Sequence, residues 1–182
     1  MSRNRRLLIA GALVALVVGY LLFRPDTLVT DVRADEPLAE AFATTTATAA
    51  VTPTDPNAAT TSLSTPTATT VPQVQTVSTG LFAGINHRAS GTAAVYQSGD
   101  EFVLRFEDDT DIQNGPDLYV WVLADDAYDG GTPSSYLDLG KLTGNVGGQN
   151  YDLPAEFDPG VHRTVLIWCL RFAVPFATAA LE

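Results

Sequence analysis

LYVWVLA, Leu118 to Ala124, is apolar throughout and dense in β-branched and aromatic side chains. The turn former NGPD (114–117) precedes it and the polar loop DDAYDGGTPSS (125–135) follows it. A run this short, bounded by turn residues, reads as a strand covered on both faces, at the centre of a sandwich or barrel. HRTVLIWCL, 162–170, ends in a second strand of the same kind.

The neighbouring segments carry the same code. FVLRF (102–106) alternates, with Phe102, Leu104 and Phe106 on one face and Val103 and Arg105 on the other. GTAAVYQ (91–97) precedes it, separated by the turn SGDE. YLDLGKL (136–142) alternates weakly, and the glycine-rich TGNVGGQNYDLP (143–154) leads into a short strand near Tyr151. FAVPFATAALE (172–182) closes the chain, and Pro175 implies an edge or a bulge there. Seven or eight short strands at this spacing predict an all-β fold, a single antiparallel β-sandwich or small barrel over residues 80–182. No segment of that region holds a helical period.

Ahead of it the character changes twice. MSRNRR is followed by LLIAGALVALVVGYLLF, Leu7–Phe23, which carries no charge until Arg24. As a helix those residues rise about 26 Å, close to the hydrocarbon thickness of a bilayer. The run is long for a cleaved signal peptide and ends in no small-x-small site. It predicts one transmembrane helix, a signal anchor over residues 1–24. Arg3, Arg5 and Arg6 put the N-terminus in the cytoplasm and the rest outside, in a single-pass cell-membrane protein. Residues 25–79 follow as a juxtamembrane segment and stalk. EPLAEAF (36–42) suits a short helical turn. Ala43–Thr79 is rich in Thr, Ala and Pro, holds one charge, Asp55, and predicts a disordered stalk, O-glycosylated by composition. Extended, it would hold the domain on the order of 100 Å from the bilayer.

The net charge is −11, and residues 80–182 carry 15 acidic and 5 basic side chains. Such a surface repels nucleic acid, which is excluded as a partner. No phosphate loop, nucleophile elbow or zinc spacing occurs, so no hydrolase, transferase or nucleotide-binding chemistry is indicated and no metal centre is expected. The acidic stretches DDTDIQNG (108–115) and DDAYDGG (125–131) lack the glycine and terminal glutamate of a calcium loop and read as solvated.

Three residues stay open on their own chemistry. Cys169 is the single cysteine, so no internal disulfide exists. It shares a strand face with Val165 and Ile167, which suits an inert core thiol, a thiol that pairs between chains or a reactive one. His87, in FAGINHRASG, is a hydrogen-bonded surface residue or a ligand. Asp117, after Gly115 and Pro116, is a turn carboxylate or a site residue.

LFAGINHRASGTAAVY, LRFEDDTDIQNGPDLYVWV, LDLGKLTGNVGGQNYDLP and VLIWCLRFAVPFATAAL together resemble the DM-thirteen domain, the Skeletor-associated, electron-transfer DM module. Gly91, Gly115, Pro116, Asp117, Leu118, Gly140, Gly144, Trp168 and Cys169 fall on its pattern, and the resemblance covers about residues 79–182. It implies a β-rich extracellular domain with a redox or electron-transfer role centred on Cys169, tuned by His87 or Asp117. Haem or copper is implied only by analogy within the family, and no cofactor is evident in the residues. The expectation is a membrane-anchored redox domain with an unidentified redox partner. The alternative is a non-catalytic cell-surface binding or adhesion module, with Tyr128 and Tyr136 offered to sugars.

Overall fold

The structure is a computed structural model that describes residues 11–14, 16–20, 30–42, 73–125 and 127–182. Among these, eleven strands form, and every pairing between them is antiparallel. One sheet has the order β1-β4-β5-β9: Gln75–Leu81, Thr92–Ser98, Glu101–Phe106 and Gln149–Asp152. The other has the order β2-β11-β10-β7-β8: Ala83–Gly84, Val174–Ala180, Thr164–Cys169, Leu118–Leu123 and Leu137–Lys141. β3 (Ala89–Ser90) and β6 (Asp111–Ile112) make a separate two-stranded ribbon.

The two runs apolar on both faces, β7 and β10, are neighbours in the middle of the five-stranded sheet, with Leu118 opposite Cys169 and Thr164 opposite Leu123. Their inner residues, Val120, Val122, Val165, Ile167 and Cys169, pack into one core with Val95, Leu104 and Phe106 of the facing sheet. Full burial of each such aliphatic side chain contributes about 1.5–3 kcal/mol. Their outer residues, Trp121, Leu123, Leu166 and Trp168, form a second cluster on the far face. Neither sheet closes on itself, so the architecture is an open sandwich and not a barrel. Pro175 marks a bulge: β11 lies between β2 and β10, and its register slips opposite Ile167 and Trp168.

The expected seven or eight strands omitted β1, β2 and the ribbon. β1 opens at Gln75, inside the stretch expected to be stalk; the part of that stretch before residue 73 lies outside the described residues. Its sequence, QTVSTGL, offers little apolar bulk and stays mostly exposed, so no hydrophobic pattern announces it. Backbone pairing to β4 holds it, and Thr79 exchanges N–H···O bonds of 3.0 and 2.9 Å with Glu182.

Residues 30–42 lie on the domain. Ala34 N–H donates to the Val146 carbonyl at 2.8 Å and Glu36 N–H to that of Gly148 at 3.0 Å. The helix Leu38–Ala41 follows, where EPLAEAF suited a helical turn. The buried Arg105 guanidinium binds this strap from below, donating to the Glu36 carbonyl at 2.6 Å, the Glu107 carboxylate at 3.0 Å and Asp108 at 2.8 Å. That is why the second face of FVLRF is buried although it carries an arginine. Residues 43–72 therefore join two segments that both sit on the domain, and the expected stand-off on the order of 100 Å is corrected.

The anchor expected over residues 7–23 is described only in part. Helical backbone runs through 11–14 and 16–20, with Leu13, Val14, Leu16 and Val17 exposed. Among the described residues no helix is long and apolar enough to cross a membrane.

Candidate functional site

β10 ends at Cys169, whose thiol is 0% exposed within the inner core. Leu118 and Val174 flank it on the adjoining strands, and among the described residues the thiol makes no hydrogen bond. Attack on a disulfide requires an accessible thiolate, which this packing denies.

Asp117 and His87 lie at the same end of the sandwich without reaching that thiol. The Asp117 carboxylate is held by the Lys141 ammonium at 2.9 Å, and this bond raises the Lys141 pKa. The Asp117 carbonyl accepts the Leu170 N–H at 2.9 Å, so its backbone, not its acid, adjoins the cysteine strand. His87 stacks on Phe176, centroids 3.6 Å apart at 11°, and among the described residues its buried Nδ1 has no hydrogen-bond partner. Phe176 belongs to the same core as Cys169. His162 Nδ1 accepts the Asp158 N–H at 3.0 Å beyond the other end of β10.

This donor set does not fit a haem or copper centre at Cys169. The sulfur sits among hydrocarbon, His162 is committed elsewhere, and among the described residues no three His, Cys, Asp or Glu side chains converge. The carboxylates of DDTDIQNG have separate duties: Asp108 on Arg105, Asp109 on the Thr92 N–H at 3.0 Å, Asp111 on Arg88 at 3.3 Å. Asp129 caps its own turn through Gly131 N–H at 2.9 Å.

The outer face of β7 and β10 holds an arrangement that the sequence pattern left unread. Tyr136 stacks on Trp121, centroids 3.8 Å apart at 16°, and Trp121 on Trp168 at 5.2 Å and 21°. Tyr136 is 40% exposed, while both indoles are 3% exposed. Among the described residues, Trp121 Nε1 is buried without a hydrogen-bond partner. The rings thus run from solvent to the residue beside Cys169. Strand alternation places Trp121 and Trp168 on one face, but Tyr136 reaches them from beyond the loop 125–135, which no local pattern discloses.

A cleft of about 870 Å³ opens elsewhere, between the helix Leu38–Ala41 and β5–β9. Glu36, Glu40, Asp100, Glu101 and Asp152 line it above Phe102 and Phe157, and among the described residues no basic side chain joins the lining.

A family model described as electron transfer DM13 matches residues 81–181. No curated protein and no solved structure matches the chain.

Proposed function

The chain belongs to the electron transfer DM13 family, and on that footing we propose that it is a membrane-anchored, extracytoplasmic one-electron carrier whose charge rests on the stack Tyr136–Trp121–Trp168. The carrying observation is the continuity of that stack from an exposed phenol to a buried indole. A one-electron acceptor docked at Tyr136 takes one electron and leaves an indole radical cation. A one-electron donor returns one electron and restores the indole. With no acceptor bonded to Trp121 Nε1 among the described residues, the oxidised ring keeps its proton and the transfer moves charge alone. Cys169 is buried in the inner core, and in this reading it positions Trp168 from the opposite face. Residues 7–23 supply the anchor in the bilayer.

Flash photo-oxidation of the full chain with a ruthenium polypyridyl complex tests this. We expect a tryptophan radical signal that Trp121→Phe removes and Cys169→Ala retains, the latter costing about 1 kcal/mol of stability for the methyl-sized void. An unchanged signal in Trp121→Phe overturns the reading, and loss of the signal in Cys169→Ala moves the charge to the thiol.

The acidic cleft favours a second reading, a surface binding module for a cationic ligand. Spermine titrated at low salt discriminates: binding that salt abolishes supports it, and no binding at low salt removes it.

A further inference from the structure

One end of the sandwich gathers the start of β7, the end of β8, the β10–β11 hairpin and the loop after β2. Antiparallel pairing fixes this, since Leu118 and Val174 both oppose Cys169, Lys141 opposes Tyr119, and Ile85 N–H reaches the Phe176 carbonyl at 2.7 Å. The hairpin tip at this end is apolar and exposed, with Phe172 at 60% and Leu170 at 49%, and Val174 also open. Arg171 stands between Leu170 and Phe172. Of the five basic residues in 80–182, Arg88, Lys141 and Arg171 belong to this end, Arg105 is buried, and Arg163 lies at the other. Lys141 and Arg88 pair with Asp117 and Asp111, so this end is close to neutral on a domain whose remaining surface is strongly acidic.

The chain reaches the domain at the same end. The Thr30 carbonyl accepts from Asn114 at 2.6 Å, and Val32 N–H donates to Asn145 Oδ1 at 2.6 Å, beside the ends of β7 and β8. Between Phe23 and Thr30 stand six residues, a reach of at most about 25 Å.

We propose that the hairpin tip Leu170–Val174 docks into the interface of the same bilayer that holds residues 7–23. The apolar side chains enter the headgroup–acyl boundary, and the aliphatic stems of Arg171 and Lys141 lie along it. The short connection keeps the tip at high local concentration over that surface. This rests on the anchoring proposed above.

The test places single tryptophans at exposed apolar sites of the full chain, Phe172→Trp at the tip and Val161→Trp at the opposite end. Each is reconstituted in phosphatidylcholine–phosphatidylglycerol vesicles, with and without shallow spin-labelled lipid, and the parent signal subtracted. We expect several-fold stronger quenching of Phe172→Trp than of Val161→Trp. Equal quenching overturns the docking while the anchor stands, provided alkaline carbonate leaves the chain in the membrane. Release by carbonate overturns the anchor and the docking together. A Phe172→Trp signal shielded from iodide but not quenched by the lipid label assigns the tip to a second copy of this chain instead, which also overturns the proposal.

Discussion

Tyr151 shows how a single buried phenol couples the fold to pH. Its hydroxyl donates to Gln149 Oε1 at 2.7 Å and accepts the Thr143 N–H at 3.1 Å, and burial pushes its pKa up to about 12. The unfolded phenol titrates near 10. Between those values the native state binds the proton that the unfolded state has lost, so stability falls as pH rises. The contribution is whole below about pH 10, is lost as pH approaches 12, and amounts to on the order of 2–3 kcal/mol. Urea unfolding across pH 9–12 is expected to show this decline, flattened in Tyr151→Phe, which itself loses about 1 kcal/mol at neutral pH with its hydrogen bond. Tyr96 shifts the same way, by burial first and then by Glu107, and accounts for part of what remains. An equally steep decline in the variant would place the effect elsewhere. The sequence pointed to a strand near Tyr151 but hid its partner: Gln149, 0% exposed, accepts from Thr143, Gly144 and Tyr151 and donates to the Gly144 carbonyl. A buried glutamine in a glycine-rich turn has no periodic signature. Cys169 was legible in its face and neighbours, because strand alternation alone sets those.

At the scale of elements, what the sequence announces is what hydrophobic alternation encodes. β5, β7 and β10 were legible for that reason, and the sandwich with them. The strap was not, since it attaches through backbone groups and polar side chains that carry no period. Its fit depends on glycine: a Cβ on Gly144 would meet Ala34 N and the Val32 carbonyl at 2.7 Å, and one on Gly147, at φ +95°, would meet the Ala34 carbonyl oxygen. Gly147→Ala is therefore expected to lift residues 31–37 while leaving both sheets paired. The measurement is limited trypsin digestion, with cleavage after Arg33 rapid in the variant and slow in the parent. Arg105→Met should go further, because it removes the donor to Glu36 and leaves Glu107 without its buried partner, at a cost of about 3–5 kcal/mol. If Arg33 stays protected in Gly147→Ala, the strap is held by something other than the Ala34–Val146 ladder.

For the whole molecule, if residues 7–23 anchor the chain as proposed, the order of segments along the chain decides how far the domain stands from the bilayer. The Thr-rich residues 43–72 leave from the strap and return to β1, both on the domain, so their length does not set that distance. On the proposed anchoring, residues 24–29 set it. Doubling 43–72 only enlarges a closed loop, which costs about 0.6 kcal/mol. The same insertion placed between Arg24 and Thr30 adds a flexible reach of about 30 Å for thirty residues and dilutes the domain over the membrane. We expect energy transfer from a dye on the domain to labelled lipid to persist in the first variant and to fall in the second. Lipid quenching of Phe172→Trp should follow the same order, being kept in the first and weakened in the second. The opposite ranking would make the Thr-rich segment a true stalk and would require that the strap be released from β9 and the Val146 turn in the membrane-bound protein.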